Sequence, residues 1–258
     1  MSKIHPTAVV DPGAKLAEDV TIGPLSTVGS EVELEAGVEI GPHVCVGGRT
    51  RIGARSRVYP FAVIGMAPQI LGYDGREGEL VIGEDNEIRE YVSIHPGLPD
   101  HGGITSIGNH NLIQTYFHVA HDCRIGNHCV LGGMSGFGGH TVVEDYAVVG
   151  AKAGFHQFVR IGESSFTAGN SMVSKDVPPF AKVAGDRARF IGVNTINLER
   201  RGFEKERIAT IKHAFHVLFQ SKLGFTEAAT RAEAESGESR EVQHLLAFLR
   251  SAERGFVR

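Results

Sequence analysis

The 258-residue chain carries 26 basic and 30 acidic side chains, a formal net charge of −4, so it lacks the basic excess expected of a nucleic-acid-binding protein. Its three cysteines, Cys45, Cys123 and Cys129, form no CxxC pair and leave one thiol unpaired under any disulfide scheme, which fits a reducing, cytoplasmic setting. The N-terminal residues lack the apolar core of a signal peptide, no apolar run approaches the ~18 residues of a transmembrane segment, and 33 glycines without a tryptophan suit a chain of many tight corners.

From its start the sequence repeats every six residues: Ile4, Val10, Leu16, Ile22, Val28, Leu34, Ile40, Val46, Ile52, Val58 and Ile64 are aliphatic without a slip. A helix needs apolar positions near a 3.6 spacing and an ordinary strand needs alternation. A strict six fits neither, and predicts short strands joined by tight turns, three to a triangular coil of eighteen residues. Each inward residue then packs on its counterpart eighteen positions along, and no coil can bury its own face alone. The pattern breaks over 66–79, resumes at Ile82, Ile88 and Ile94, and breaks again over 95–106. It then runs from Ile107 through Ile113, Val119, Ile125, Leu131, Phe137, Val143, Val149 and Phe155 to Ile161. Insertions of that length on a rigid scaffold are candidates for contact with a substrate.

Val177-Pro178-Pro179 marks the end of the coils, and a β-helix domain is expected over 1–190. From 191 to 258 the spacing becomes helical, as in Ile208, Ile211, Phe215 and Leu218 and again in Val242, Leu245, Leu246 and Leu249. These helices are expected to cover the open end of the coil, whose unpaired strand edges would otherwise face water. The chain is therefore a mainly β parallel β-helix with a C-terminal α-helical cap.

Histidine carries the chemical signal. With eighteen residues to a coil, His121 lies over Gly139 and then Gln157, Asp122 over His140 and then Phe158, and Ala120 over Gly138 and then His156. His118 stands three residues before His121. Imidazole is the side chain best suited to take a proton near neutral pH, and an adjacent acid can fix its tautomer. Gly138-Gly139 offers unobstructed backbone N–H groups of the kind that hold a developing oxyanion. No serine or cysteine stands in these columns, Cys123 being the nearest thiol, so direct attack by a substrate group with His as general base is the economical reading. The competing use of three imidazoles is a zinc site.

The motifs Ile88-Arg89-Glu90, His118-Val119-Ala120-His121-Asp122, Gly139-His140, His156-Gln157-Phe158, Asp176-Val177-Pro178-Pro179 and Arg200-Arg201-Gly202-Phe203 resemble the acyl-ACP:UDP-N-acetylglucosamine O-acyltransferases of lipid A synthesis, over essentially the whole chain. The resemblance implies a left-handed coil and a homotrimer with active sites between subunits. It implies that the acyl donor arrives on the phosphopantetheine of acyl carrier protein and that no metal or cofactor is bound. His121 would deprotonate the glucosamine 3-hydroxyl, Asp122 would orient His121, and the Gly139 N–H would steady the oxyanion. Gln69, His118, His140, His156, Gln157, Asn194 and Arg200 would contact the UDP-sugar or the acyl donor, and Gly169 occupies the position that stops the acyl chain.

The sequence departs from the family at substrate positions. Ile70 and Gly72 stand where an acidic residue and a lysine are usual, and His95-Pro96-Gly97-Leu98 replaces His-Arg-Gly-Thr. Gly132-Gly133-Met134-Ser135 stands where two asparagines are usual, and Ile196 where a glutamate is. Two other readings therefore stand beside O-acylation: an acyltransferase for another nucleotide sugar, acylating an amino group, and a non-catalytic β-helical scaffold.

Overall fold

The computed structural model describes residues 2–76 and 78–258; Met1 and Glu77, the latter inside the first expected interruption, lie outside the described residues. Short strands, most of two residues, stack in parallel into three sheets of eleven, nine and eight strands. Through the regular coils, successive strands join the first, second and third sheets in turn, and the whole is a left-handed parallel β-helix, against the right-handed rule for ordinary crossovers. The register is the expected eighteen: Lys3 pairs with Thr21, His118 with Gly136, and Gly136 with Gly154. In a two-residue strand the repeat residue faces inward, so that Ile22, Val28, Leu34 and Ile40 are buried. Ile4 is 44% exposed, because its strand is the edge of the first sheet and, among the described residues, no strand stacks on its outer side.

The two interruptions enlarge their coils. Arg57 pairs with Glu87 and Glu87 with Leu112, offsets of 30 and 25 in place of 18. Both loops end earlier than expected. Glu79–Ile82 and Ile104–Ile107 are four-residue strands that pair with each other along their length, so the loops span 65–78 and 95–103. Leu80 and Thr105 turn inward there, an extra buried position that the six-residue period does not announce.

Glycine serves a different purpose from the one its abundance suggests. The left-handed turn position at the corners is filled mostly by other residues, among them His43, Phe61, Tyr91, Tyr116, Asp122 and His140, with φ between 56° and 65°. Glycine is required where coils touch: a Cβ on Gly53 would come 2.5 Å from the Gly83 carbonyl carbon, and one on Gly41 2.9 Å from the Val58 oxygen. The left-handed residues stack from coil to coil. His43, Phe61, Tyr91 and Tyr116 form one ladder at 4.7–5.0 Å between rings. His110, His128 and Tyr146 form another, closed by the Arg201 guanidinium 3.7 Å from the Tyr146 ring centre.

After Ile161 the inward row continues through Thr167 and Val173. Ala181–Ala184 adds to the first sheet and Arg189–Val193 folds back on it antiparallel, so the sheet runs through the boundary expected at 190. Helices follow: α1 (Thr195–Arg200), α2 (Lys205–Phe215) with a π-turn over His216–Gln220, α3 (Phe225–Ser236) and α4 (Arg240–Arg250). The expected apolar faces of α2 and α4 are buried, and Phe190 stacks on Phe215 at 5.1 Å. The helices also run along the side of the last coils. His244 bonds Glu144 at 2.8 Å, and Arg160 lies 4.2 Å over the Phe248 ring. The C-terminal tail returns to the coil, with Val257 N–H donating to the Asp176 carbonyl at 2.9 Å.

Candidate active site

Everything that distinguishes one corner of the prism lies where the chain passes from the second sheet to the third. The loop 65–78 leaves Val63–Ile64 and the loop 95–103 leaves Ser93–Ile94, both in the second sheet. The next three turns at that corner carry His121-Asp122, Gly139-His140 and Gln157-Phe158. Loops and histidines thus come from five successive coils of one edge.

At the centre His121 Nδ1 lies 2.7 Å from Asp122 Oδ2. The Asp122 side chain is 3% exposed and His121 17%. A carboxylate so placed accepts the Nδ1 proton, which leaves Nε2 as the free basic nitrogen. Asp122 is fixed from three sides. Leu98 N–H donates to Oδ1 at 3.1 Å and Oδ2 at 3.3 Å, Thr105 Oγ1 accepts the Asp122 N–H at 2.8 Å, and His140 Nε2 stands 3.9 Å from Oδ2. Leu98 and Thr105 belong to the second loop and the strand after it, so the loop holds the carboxylate with its backbone.

Gly139 makes room for the base. A Cβ there would sit 2.5 Å from His121 Cε1 and 2.6 Å from Nε2. The Gly139 N–H has no acceptor within the protein among the described residues, although its carbonyl takes a bond from Phe158 N. A free N–H beside a free imidazole nitrogen is the pairing needed to stabilise a tetrahedral oxyanion while a proton is removed. The His140 ring stacks on Phe158 at 4.4 Å and meets His121 edge-on at 5.1 Å.

His118 extends the site along the second sheet. Its Nδ1 pairs with Ser93 Oγ at 2.8 Å, and burial, followed by the nearby His95 and His121, holds its pKa below the ordinary value. His95 bonds the Met66 carbonyl through Nδ1 at 2.9 Å, tying the two loops together, and its buried Nε2 has no partner. His156 and Gln157 are exposed one coil beyond Gly139, and Gln69 is exposed on the first loop. Cys123 is no nucleophile: burial pushes its thiol up to about 12. His121, Asp122 and His140 present ligand atoms within 4.8 Å of one another, so these three could also hold a metal ion.

Three expected residues are not brought to this corner in one chain. Asn194 is buried against the corner between the third and first sheets, its Nδ2 on the Ser164 carbonyl at 2.8 Å and its N–H on Phe180 O at 2.7 Å. Arg200 ends α1, which starts from that same corner. Gly169 lies between the first and second sheets, where a Cβ would meet the Ala151 oxygen at 3.0 Å. The supports from Leu98, Thr105, Ser93 and His95 escape sequence reasoning. The only signal for them is that both interruptions occur at the same step of the coil as His121.

Residues 176–257 match the family model for the second domain of UDP N-acetylglucosamine O-acyltransferases. The curated acyl-[acyl-carrier-protein]–UDP-N-acetylglucosamine O-acyltransferase of Myxococcus xanthus is 46% identical over 258 residues, all of both chains. That of Stenotrophomonas maltophilia is 45% identical, covering 99% of this chain and 98% of its own. Among solved structures, LpxA from Acinetobacter baumannii superposes with a TM-score of 0.95 at 38% identity over 99% of each chain. The UDP-N-acetylglucosamine acyltransferase LpxA of Bacteroides fragilis does so with a TM-score of 0.96 at 36% identity, over 98% of this chain and 99% of that one.

Proposed function

This chain belongs to the family of acyl-[acyl-carrier-protein]–UDP-N-acetylglucosamine O-acyltransferases, and from that premise we propose that it transfers an acyl chain from acyl carrier protein to the 3-hydroxyl of UDP-N-acetylglucosamine with His121 as general base. This is the first step of lipid A synthesis. The observation that carries the mechanism is the 2.7 Å bond between His121 Nδ1 and Asp122, with Gly139 cleared beneath the ring.

In the transfer, His121 Nε2 takes the proton of the attacking hydroxyl as its oxygen bonds to the thioester carbonyl carbon. Asp122 stabilises the imidazolium, and the Gly139 N–H donates to the carbonyl oxygen as it becomes an oxyanion. Collapse breaks the carbon–sulfur bond, and the imidazolium proton goes to the departing phosphopantetheine thiolate. No step calls on a metal. His118, His140, His156, Gln157 and Gln69 line the approach for the sugar nucleotide or the acyl donor, and Gly169 stands in the family's acyl-stop position.

We infer a homotrimer from the family likeness, and the placement of Asn194 and Arg200 supports it. Both lie a sheet width from His121 on one chain, so a second copy is what would bring them to the sugar nucleotide. No helix among the described residues is long and apolar enough to cross a membrane, and the three cysteines are free, which supports work in the cytoplasm. A second reading, N-acylation of an amino sugar, is favoured by Ile70, Gly72 and the 54% exposed Ile196 in place of charged residues. Purified enzyme is to be incubated with 3-hydroxyacyl-ACP and a panel of UDP-sugars. O-acylated UDP-N-acetylglucosamine is the expected product; transfer confined to an amino-sugar nucleotide would establish the second reading, and no transfer to any would support a scaffold.

A further inference from the structure

We propose that Arg76 is a positioning residue for the catalytic pair: its guanidinium ties the first loop to Asp100 of the second, and the second loop holds the Asp122 carboxylate through the Leu98 N–H. The proposal rests on the acyl-transfer reading above and adds to it a side chain that acts on Asp122 through another segment.

Arg76 is the single basic side chain in the loop 65–78, and it is fixed on that loop at three points. Its N–H donates to Asp74 Oδ1 at 3.1 Å, its Nε donates to Asp74 Oδ2 at 2.6 Å, and its carbonyl accepts the Tyr73 hydroxyl at 2.8 Å. The two terminal nitrogens reach the second loop, Nη1 donating to Asp100 Oδ1 at 2.9 Å and Nη2 to Asp100 Oδ2. An exposed ion pair alone contributes little, but a bidentate arginine within a network of charges fixes geometry as well. The Arg76 N–H, and then its guanidinium, hold the Asp74 carboxyl below its ordinary range, so the network stays charged at neutral pH.

Asp100 belongs to the turn that supports Asp122. It lies in the middle of the 3₁₀ turn Pro99–His101, for which Leu98 is the cap residue and Gly102 the left-handed exit. The Leu98 N–H is the donor shared by both Asp122 oxygens, and the Leu98 carbonyl accepts the Gly103 N–H at 2.9 Å, so a movement of Asp100 is carried to this donor. Apolar packing leaves a gap between the loops: a cavity of about 130 Å³ lies there, lined by Ile70, Tyr73, Leu98 and Pro99 among others. Arg76 joins the loops beside this gap, and the bond of His95 to the Met66 carbonyl joins them at their base. Release of Asp100 loosens the Leu98 N–H, and the Asp122 carboxylate that aligns the imidazole is then free to turn. The loss falls on the chemical step, where small displacements of a catalytic group are costly.

Wild type, Arg76→Ala, Asp100→Asn and the double variant are to be compared for kcat and KM, after matched thermal midpoints establish equal folding. Hydrogen exchange of the segment 95–103 is read by mass spectrometry alongside. Each single variant is expected to lower kcat about threefold to tenfold with the KM for acyl-ACP unchanged, and to speed exchange in that segment. The double variant is expected to lose no more than either single one, because both changes break the same link. Wild-type kcat in both single variants overturns the proposal, as do losses that multiply in the double variant or that fall on KM alone. If wild type transfers no acyl group to UDP-N-acetylglucosamine, the functional reading fails separately. The link is then judged by exchange alone, and equal exchange of the segment 95–103 in wild type and Arg76→Ala overturns the proposal on its own.

Discussion

Replacing Gly139 with alanine adds one methyl group where the structure leaves no room for it. The new Cβ would lie 2.5 Å from His121 Cε1 and 2.6 Å from Nε2, whereas ordinary contact begins near 3.4 Å. The backbone at Gly139 is outside the left-handed region, so alanine is conformationally acceptable and the fold survives. The imidazole must retreat by about 1 Å, and a displacement of that size costs on the order of 100-fold in rate. A shifted ring also disturbs the 2.7 Å bond to Asp122, so a loss of 10²–10⁴, roughly that of deleting a general base, is the expected range. Steady-state acyl transfer should show the loss in kcat with KM little changed, and circular dichroism should show an unaltered melting curve. Wild-type kcat in Gly139→Ala would refute the placement of His121 as the base.

Asp122→Asn keeps the shape but offers the imidazole a donor or a neutral acceptor in place of a carboxylate, and kcat should fall by up to about 10⁴-fold. Dialysis against a chelator should leave transfer undiminished, whereas activity that disappears and returns with zinc would reassign His121, Asp122 and His140 as metal ligands. The hydrogen bond that His244 donates to Glu144 raises the His244 pKa above its ordinary value, with burial opposing. Because the charged form is favoured in the folded state, its contribution is complete below the ordinary His value of about 6.5 and is lost as pH rises through the raised value. The melting-temperature gap between wild type and His244→Gln should therefore be widest in mild acid and close at higher pH. Arg201→Ala removes the guanidinium that lies on Tyr146 and bonds Glu163 at 2.6 Å and Ser164 at 2.5 Å, and should cost about 1–2 kcal/mol in urea unfolding.

The coil was legible in the sequence because each repeat solves the same packing problem, so inward residues must be aliphatic at a fixed interval. The row goes unread where packing tolerates something else. Thr167 lies fully buried in line with Val149, and its hydroxyl has no partner. α3 escapes for a similar reason: it packs through Ala228, Ala229 and Ala232, which allow close approach but carry little hydrophobic signal. The column of His121, Gly139 and Gln157 could be computed from the period alone. The bond from Leu98 N–H to Asp122 could not, since a loop's backbone donors leave no trace in side-chain identity. Nor could the true role of the glycines, which is set by the closeness of one coil to the next at positions such as Gly53 and Gly41. Asn194 and Arg200 illustrate a limit of another kind, because motif likeness names them as site residues without showing that one chain holds them at a different corner from His121.

The most direct test joins chemistry to residue. Wild type and His121→Ala are each to be given UDP-N-acetylglucosamine and 3-hydroxyacyl-ACP at pH 7–8, and the product resolved by mass and by NMR assignment of the acylated position. The expected result is an ester on the 3-hydroxyl from wild type and a rate at least about 100-fold lower from His121→Ala. An equal rate of ester formation by the two proteins would contradict the general-base role, and an ester on any other hydroxyl would contradict the site's assigned reaction.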